Sequence, residues 1–435
     1  MFRKTARGRV GAMRQNECVN ILDDLRWRGL IQDSTDFGAL RAHLDSTSVT
    51  FYVGFDPTAA SLHVGNLAQI LTARRLQRAG LRPLLLVGGA TGMIGDPKES
   101  GERTLNSGEV VGGWVEAIRD QLRPFLDYEG DNPATLVNNL DWTGPMNAID
   151  FLREVGKHFP VSRMLAREVV KARLESGISF TELSYQLLQA NDYFELHRRY
   201  GCSLQFGGSD QWGNITAGVD YVRRRGAGPV HAFVTPLVTK ADGTKFGKTE
   251  GNAVWLDASM TSPYAFYQFW FNAADADIPA YLRYFSFRSH EEILELDRLT
   301  AERPAARAAQ RALAEELTAL VHGAKEAEQA VAASQALFGR GDLTELTEST
   351  VEAALGEAGL TDVEDSGASI AALLQRSGLV SSLSEARRTV KEGGAYLNNV
   401  RVTDADASIP ADGWLHGRFA VLRRGRKTFA GLIRR

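Results

Sequence analysis

The sequence predicts an α/β protein in which a Rossmann-like domain with a parallel sheet precedes a small α-helical domain and a C-terminal α+β domain. Two apolar runs, 49–53 and 84–87, have the composition of strands, and the segment between them has the apolar spacing of a helix. A strand, a helix and a second strand in this order form a βαβ unit, which implies a parallel sheet with a right-handed crossover. After Trp255 the chain becomes aromatic-rich and then Ala/Glu/Arg-rich, as in helical domains.

Size and composition set the limits within which these elements fold. The chain has 435 residues, too many for one ordinary domain, and 44% of them are hydrophobic and 24% charged, as in globular proteins. The formal net charge of -3 gives no global signal for nucleic acid, so a basic patch would have to be local. Cys18 and Cys202 lack metal-ligand spacing, which favours a reduced, cytoplasmic setting, and no apolar run is long enough to span a membrane. Residues 1–15 are rich in arginine and have no apolar region of the signal-peptide type. We therefore predict a disordered extension, or a start at Met13, rather than a targeting peptide.

The first strand should break at Gly54, and a helix should begin near His63. A buried strand that leads to a helix N-terminus is a common anion site, because free N–H groups and the helix dipole point at the ligand. His63 and Asn66 add side-chain donors one turn apart, and Gly65 lets a ligand approach the backbone. The alternative is a surface helix that Ser61 merely caps.

The second strand ends at a glycine pair shortly before Asp96. Open α/β sheets bind ligands at the carboxyl ends of their strands, so Asp96 should meet the ligand, unless it only opens the turn before Pro97. The polar segment that follows offers Arg103 as a candidate phosphate contact. Residues 134–142 predict another strand, with Asn139 near its carboxyl end.

A long helix over 180–200 carries a line of polar side chains. Tyr185, Gln189 and Asp192 lie at i, i+4 and i+7, which puts them on one face. Since apolar residues surround this line, we interpret it as a pocket wall rather than a solvated stripe. A charged helix, with a subunit interface as one interpretation, is predicted just before it, over 161–175.

Two further strands are predicted over 203–206 and 231–238, and the first of them ends in another strand-to-helix turn at 207–214. The last strand leads to the segment 240–249, which we interpret as a mobile loop with two ammonium groups, those of Lys245 and Lys248. Taken alone, such a loop is more often a solvated run of charges.

These stretches together resemble the class I aminoacyl-tRNA synthetases. The HIGH-type motif is His63-Val64-Gly65-Asn66, and the KMSKS-type motif is Lys245-Phe246-Gly247-Lys248-Thr249. GFDPTA at 54–59, GDP at 95–97, SYQLLQANDY at 184–193 and GGSDQWGN at 207–214 look like the bacterial tyrosyl-tRNA synthetases over essentially the whole chain. The resemblance implies a tyrosine-tRNA ligase that makes tyrosyl-adenylate and pyrophosphate from tyrosine and ATP, then transfers tyrosine to the 3′ end of tRNA(Tyr).

The resemblance also implies roles for individual residues. The catalytic set is His63, Asn66, Lys245, Lys248 and Thr249. The tyrosine-binding set is Tyr52, Asp96, Tyr185, Gln189, Asp192 and Gln211. The ATP-binding set is Gly54, Asp56, Thr58, His63, Gly65, Asn66, Gly208, Asp210, Gln211 and Lys248. Within the tyrosine set, Tyr52 and Asp192 are expected at the phenol hydroxyl, and Tyr185 and Gln189 near the α-amino group beside Asp96.

The implied chemistry needs no general base, since the carboxylate that attacks the α-phosphate is already ionised. Mg²⁺ is expected to enter with the phosphates of ATP, without a dedicated protein cage or a prosthetic group. The chain departs from the fullest motifs at Asn66, which keeps a donor but no charge, and at Phe246-Gly247 in place of Met-Ser, which removes a hydroxyl. The family also implies a homodimer.

The C-terminal third changes charge along its length. Residues 341–367 contain eight acidic and no basic residues, which predicts a linker with a marginal helix. By contrast, 367–435 contain twelve Lys/Arg against five acids. The basic part resembles an S4 RNA-binding domain, which implies tRNA contacts by Arg387, Arg388, Lys391 and Arg401. We therefore predict these units: an extension (1–15), a catalytic domain (16–255), a helical anticodon-side domain (256–340), an acidic linker (341–366) and an S4-like domain (367–435).

Three other functions fit part of the pattern. A tryptophanyl-tRNA synthetase would share the reaction, but the pair Tyr52 and Asp192 and the S4-like tail argue against it. A nucleotidyltransferase with an H-x-G-H-type phosphate site would leave the tail unexplained. A non-catalytic RNA-binding or splicing-type protein on a synthetase scaffold would not need the intact ATP-site residues.

Overall fold

A computed structural model describes residues 20–97, 105–175, 177–244, 246–249, 252–363, 367–425 and 428–434. The predictions for residues 1–15, Arg103 and Lys245 lie outside the described residues. Within the described part, no helix has both the length and the apolar character needed to cross a membrane.

The central sheet contains six strands in the order β1-β6-β5-β2-β3-β4. Their bounds are β1 Asp33–Ser34, β2 Thr50–Phe55, β3 Arg82–Val87, β4 Thr135–Asn138, β5 Cys202–Gly208 and β6 His231–Thr235. Strands β2 to β6 pair in parallel, and the short edge strand β1 pairs antiparallel with β6. The predicted parallel sheet is therefore confirmed, and β3, β5 and β6 are apolar because helices cover both of their faces.

Helices flank this sheet and supply much of its cover. Their bounds are α1 Ile21–Trp27, α2 Phe37–Ser46, α3 Val64–Arg78, α4 Thr91–Ile94, α5 Gly108–Leu122, α6 Leu140–Thr143, α7 Ala148–Asp150, α8 Val161–Leu165, α9 Glu168–Arg173, α10 Phe180–Tyr200 and α11 Trp212–Arg224. Helix α10 has the predicted bounds, since the Ser179 hydroxyl accepts a hydrogen bond at its start and Gly201 takes a left-handed conformation at its end.

Several predicted boundaries are wrong by a few residues. Strand β2 continues through Gly54, which pairs with Leu86, because the neighbouring strands on both sides hold its backbone in the sheet. Strand β6 ends at Thr235, since the following Pro236 has no N–H to donate to the sheet. Strand β4 ends at Asn138, so Asn139 does lie at a carboxyl end, but Trp142 belongs to α6.

The single charged helix predicted over 161–175 is also wrong. Two short helices, α8 and α9, occupy this segment. Arg167 has an extended backbone between them, with φ -68° and ψ 137°, and so interrupts the helical hydrogen bonds. The break turns the Arg167 side chain towards the cavity described below.

A short hairpin and a group of helices follow the central sheet. Their bounds are β7 Lys248–Thr249, β8 Asn252–Ala253, α12 Pro263–Phe271, α13 Ile278–Phe285, α14 His290–Glu302, α15 Ala308–His322 and α16 Ala324–Ala336. The predicted helical character of this region is confirmed. Its apolar residues share one continuous core with α3 and β2.

Two buried arginines join the sheet region to the helical region. Arg28, which follows α1, donates through Nη1 to the carbonyl of Ser286 at 2.9 Å and through Nη2 to that of Arg288 at 3.0 Å. Arg75 of α3 donates to the carbonyls of Tyr284 at 3.1 Å and Ser286 at 2.6 Å. These bonds occupy carbonyls at and beyond the end of α13, which lack helical partners.

The C-terminal unit is a five-stranded sheet with helices, in the order β11-β10-β12-β13-β9. The elements are α17 Glu348–Ala358, β9 Leu360–Val363, α18 Ile370–Arg376, α19 Leu383–Lys391, β10 Ala395–Leu397, β11 Val400–Arg401, β12 Phe419–Arg424 and β13 Thr428–Arg434. The acidic segment 341–363 is thus not an open linker: Val351, Ala354 and Leu355 bury one face of α17, and β9 pairs with β13. Of its acidic residues, Glu348, Glu352 and Glu357 lie on the exposed face of that helix.

Candidate active site

A cavity of about 550 Å³ opens at the carboxyl ends of the parallel strands. It gathers residues that lie far apart in the sequence. From the predicted sets, the lining includes Tyr52, Gly54, Asp56, Thr58, His63, Gly65, Asn66, Asp96, Tyr185, Gln189, Asp192, Gly208, Asp210 and Gln211. Lys248 and Thr249 form β7, which begins two residues after Phe246, a residue of the cavity lining. Lys245 lies outside the described residues.

One end of the cavity is the N-terminus of α3. The Nδ1 atom of His63 accepts a hydrogen bond from the N–H of Gly65 at 3.0 Å, and Oδ1 of Asn66 accepts one from the N–H of His63 at 3.1 Å. This reciprocal capping box shows that His63, and not Ser61, caps the helix. Gly65 is required here, because a Cβ atom would lie 2.7 Å from the His63 ring.

Val254 links the lysine-bearing hairpin to α3 by two backbone hydrogen bonds. Its N–H donates to the carbonyl of Gly247 at 3.0 Å, and its carbonyl accepts from the N–H of Val64 at 2.9 Å. The N–H and the carbonyl of Val254 therefore connect the first turn of α3 to Gly247, which directly precedes the strand that carries Lys248.

The other end of the cavity is closed and polar. Asp192 is only 1% exposed, and its two carboxylate oxygens accept hydrogen bonds from Trp142 Nε1 at 2.8 Å and Asn139 Nδ2 at 3.0 Å. Burial raises the pKa of Asp192 to about 7, although these two hydrogen bonds oppose the shift. The Tyr52 hydroxyl is also buried, and it has no hydrogen-bond partner in the described part of the chain. An unpaired hydroxyl beside a buried carboxyl is suited to a ligand with a polar group.

Asp96 lies on the wall between the two ends. It accepts hydrogen bonds from Gln211 Nε2 at 2.9 Å and from Asn214 Nδ2 at 3.3 Å. Burial raises its pKa, while the bond from Gln211 and the charge of Arg167 lower it. A carboxylate in this setting can bind a cationic group of a ligand.

A chain of hydrogen bonds links Asp192 to Asp56 along the cavity wall. Asn139 Nδ2 also donates to Thr91 Oγ1 at 3.0 Å, and Thr91 Oγ1 donates to Asp56 Oδ1 at 2.7 Å. The Tyr185 hydroxyl donates to Asp56 Oδ2 at 2.6 Å. The carboxylates of Asp192 and Asp56 are therefore held in one network.

Sequence reasoning missed four residues of this site: Thr91, Trp142, Arg167 and Asn214. Asn214 stands in the quoted segment 207–214, and Thr91 follows the glycine pair at the end of the second predicted strand. Trp142 and Arg167 gave no such signal, since each lies in a segment whose bounds were mispredicted.

Comparison with known proteins gives the family. Residues 45–339 match the family described as tRNA synthetases class I (W and Y), and residues 351–432 match the Tyrosine--tRNA ligase SYY-like C-terminal domain. A Tyrosine--tRNA ligase of Streptomyces coelicolor is 61% identical over 417 residues, which cover 95% of this chain and 99% of that relative. The chain belongs to the tyrosine-tRNA ligase family.

Solved structures agree with the tyrosine-tRNA ligase family. A C-terminally truncated Aspergillus nidulans mitochondrial tyrosyl-tRNA synthetase is 32% identical, with a TM-score of 0.65 over 72% of this chain and 92% of that chain. A tryptophanyl-tRNA synthetase from Encephalitozoon cuniculi, bound to tryptophan, is 13% identical with a TM-score of 0.53 over 71% and 87%, which shows a shared fold alone.

The predicted family, fold class and enzyme class are thereby confirmed: the chain is a class I synthetase, a ligase that uses ATP as a substrate. The nucleotidyltransferase alternative is wrong. The C-terminal match begins at residue 351, inside the segment predicted as a linker, which agrees with the packing of α17 and β9. The roles of individual site residues stay predictions.

Proposed function

We propose that this chain activates tyrosine with ATP to give tyrosyl-adenylate and pyrophosphate, and then transfers tyrosine to the 3′ end of tRNA(Tyr). The observation that carries the choice of tyrosine is the buried pair at the closed end, Tyr52 and Asp192.

The phenol of tyrosine fits the closed end of the cavity. Its O–H would donate to Asp192, and its oxygen would accept from the Tyr52 hydroxyl, which otherwise lacks a partner in the described structure. Phenylalanine would leave the Tyr52 hydroxyl buried and unpaired, and it would offer Asp192 no donor beyond Asn139 and Trp142, which costs binding free energy. The indole of tryptophan has an N–H donor but no oxygen to accept from Tyr52.

The α-amino group would lie near Asp96. Its carboxylate is oriented by Gln211 and can accept from an ammonium group. Tyr185 and Gln189 line the same wall of α10, one helical turn apart. Tyrosine would thus be held at both ends, with its carboxylate directed towards the N-terminus of α3.

ATP would lie along the mouth of the cavity, against Gly54, Asp56, Thr58, Gly208 and Asp210. Glycine lets the nucleotide approach closely, and a Cβ at Gly208 would lie 2.5 Å from the Asp210 carboxylate. The phosphates would meet the N-terminus of α3, whose N–H groups and dipole favour negative charge. Mg²⁺ would enter with these phosphates, because in the described part no group of three or more His, Cys, Asp or Glu side chains is arranged to hold a metal.

In the chemical step a tyrosine carboxylate oxygen forms a bond to the α-phosphorus as the bond to pyrophosphate breaks. Negative charge builds on the phosphorus oxygens and on the leaving group. His63, Asn66 and the backbone at Gly65 would stabilise this charge at α3, with Lys245, Lys248 and Thr249 acting from the hairpin. Since the oxygen of Asn66 is used in the capping box, its amide N–H₂ is the group that would donate.

tRNA would bind in part to the C-terminal unit. Ala386, Thr389 and Val390 are buried, so α19 presents Arg387, Arg388 and Lys391 on its exposed face, with Arg401 exposed on β11. The Arg387 guanidinium is paired with the exposed Asp406 at 2.9 Å, so Arg388 and Lys391 would be the first to contact phosphates.

A homodimer would cover an apolar surface of the catalytic region. Five large apolar side chains between 149 and 180 are 48% to 70% exposed: Ile149, Leu152, Val161, Leu174 and Phe180. Such a concentration is unusual for a monomer and fits an interface with a second copy of the chain. A cytoplasmic location remains a prediction from cysteine usage.

The experiment that tests the proposal is amino-acid-dependent ATP–pyrophosphate exchange, with tyrosine, phenylalanine and tryptophan measured side by side on the purified chain. We expect exchange with tyrosine alone. Exchange with tryptophan would mean that the pocket is misassigned, and no exchange with any of the three would favour the non-catalytic RNA-binding alternative.

A further inference from the structure

The side chain of Phe246 separates two cavities. It lines the active-site cavity, and it also lines a second cavity of about 870 Å³ between the hairpin loop, α12, α13 and α17. Phe246 stands in the KMSKS-type motif at a position that the sequence analysis treated only as a departure from Met. Its surroundings give it a role of its own.

Four rings from the helical region enclose Phe246, and we call them the aromatic socket: Phe269, Trp270, Tyr281 and Phe285. The centroid distances from Phe246 are 5.4, 5.6, 5.0 and 5.5 Å respectively. Three of the contacts are edge-on or tilted and one is stacked, geometries that are favourable for aromatic pairs.

The backbone beside the ring meets the N-terminus of α3. Gly247 has a φ of 78°, and a Cβ there would lie 2.8 Å from the Val64 side chain. Its carbonyl accepts from Val254, the same residue that bonds to Val64. One residue beyond the socket, the chain is therefore pressed against the first turn of α3.

A second contact ties the loop to the same helical region. The N–H of Ala241 donates to Oδ1 of Asp277 at 2.5 Å, and Asp277 directly precedes α13. The loop is thus held at its start by a hydrogen bond and near its end by a ring. Both attachments belong to the segment around α12 and α13.

From this geometry we propose that Phe246 is a positioning residue for adenylate formation. Its ring in the aromatic socket fixes the strand β7, which carries Lys248, beside the N-terminus of α3. Adenylate formation then depends on the packing of the helical region, which does not itself touch the phosphates. The proposal rests on the proposed function for its kinetic consequence, but the anchoring of the loop does not.

Two variants of Phe246 separate positioning from simple packing. Phe246→Ala should lower the single-turnover rate of adenylate formation about 10- to 100-fold, because misplaced groups lose transition-state contacts. Tyrosine affinity, measured by equilibrium binding, should be unchanged, since the phenol end of the cavity is remote from the loop. Phe246→Leu keeps an apolar side chain in the socket and should restore most of the rate.

The socket itself supplies a matched second site. Phe269→Ala should lower the same rate in the same direction, and the double variant Phe246→Ala/Phe269→Ala should be no slower than Phe246→Ala alone. Losses that multiply would show that the two rings act independently. A rate unaffected in Phe246→Ala, with only a lower Tm, would reduce Phe246 to core filling and overturn the proposal.

A readout without catalysis keeps the two proposals distinguishable. Trypsin cleavage after the lysines of the loop, located by mass spectrometry, should be faster in Phe246→Ala than in the parent chain and near normal in Phe246→Leu. Unchanged cleavage would refute the anchor even if exchange with tyrosine succeeds. Faster cleavage in a chain that shows no exchange would support the anchor and reject the proposed function.

Discussion

The indole N–H of Trp142 donates a hydrogen bond of 2.8 Å to one carboxylate oxygen of Asp192. The amide of Asn139 holds the other oxygen at 3.0 Å, so the carboxylate cannot rotate without losing a bond. Both donors lie just beyond β4, and the acceptor lies on α10. The position of the residue that would read the phenol is therefore determined by contacts between two separate elements, rather than by α10 alone.

Replacing Asp192 tests the tyrosine pocket directly. Asp192→Ala should remove about 2–4 kcal/mol of transition-state stabilisation, measured as a fall in kcat/KM for tyrosine. The phenol loses a charged acceptor, and the donors Asn139 and Trp142 lose their partner. The margin over phenylalanine should narrow. Pyrophosphate exchange with both amino acids measures this selectivity, and Asp131→Ala, at an exposed aspartate outside the cavity lining, is a matched control. Unchanged kinetics for both would remove Asp192 from the pocket.

The pH dependence of tyrosine binding should report the same carboxyl. Burial raises the pKa of Asp192 to about 7, so the group takes up a proton as the pH falls below that value. A phenol O–H donates to the ionised form, so bound tyrosine lowers this pKa and binds more tightly as the pH rises. We expect kcat/KM for tyrosine to rise between about pH 6 and pH 8.

The control for this profile is Asp192→Asn, which cannot titrate. Its kcat/KM for tyrosine should be lower than that of the parent chain and should not change with pH. A flat profile in the parent chain would mean that the bonds from Asn139 and Trp142 outweigh burial and keep Asp192 ionised throughout.

His63 has two functions, and two variants separate them. His63→Ala should slow adenylate formation about 100-fold or more without weakening tyrosine binding, since the donor acts on charge that develops in the transition state. It also removes the cap of α3, at about 1 kcal/mol of stability. His63→Asn should restore the cap and the Tm but not the rate. Recovery of the rate in His63→Asn would limit His63 to a capping role.

The exposed face of α19 should contribute to tRNA affinity through charge. Arg388→Gln and Lys391→Gln should each weaken tRNA binding and reduce the slope of log affinity against log salt by about 1. Tyrosine-dependent exchange should be unaffected, because no tRNA takes part. Arg123→Gln, which removes an exposed charge of the catalytic region, is the comparison. If Arg388→Gln and Lys391→Gln had the same slope of log affinity against log salt as Arg123→Gln, α19 would be excluded from the tRNA interface.

The apolar surface between 149 and 180 should mediate self-association. Phe180 is 70% exposed, and Phe180→Asp should convert the chain to a monomer in sedimentation equilibrium, because a charge in an apolar interface is costly to desolvate. Leu237→Asp changes an exposed apolar residue outside the segment and should leave the mass unchanged. A monomeric parent chain would reject the dimer.

Sequence reasoning recovers what local chemistry determines. The bounds of α10 follow from Ser179 and Gly201, and the start of α3 follows from the break between β2 and His63. Strands β3 and β5 are visible as apolar runs that differ from the structure by two residues or fewer at each end. Such features depend on residues within a few positions of one another.

The partners of the site residues could not be recovered in this way. Trp142 and Asp192 are 50 positions apart, and Asn214 and Asp96 are 118 apart. Nothing near Trp142 in the sequence distinguishes an indole that orients a carboxylate from one that fills a core. The acidic segment before 367 is predicted as a linker with a marginal helix for a related reason, since the charge count gives no sign that α17 packs its apolar face or that β9 pairs with β13.

The arginine bonds between α1, α3 and the end of α13 bear on where this protein could be truncated. Arg28 and Arg75 are each 5% exposed, and their carbonyl acceptors lie between 283 and 288. A gene fragment that ends near residue 255 would encode two guanidinium groups whose carbonyl acceptors are missing. A fragment that continues through residue 288 keeps these acceptors and should therefore be more stable than one that ends near 255.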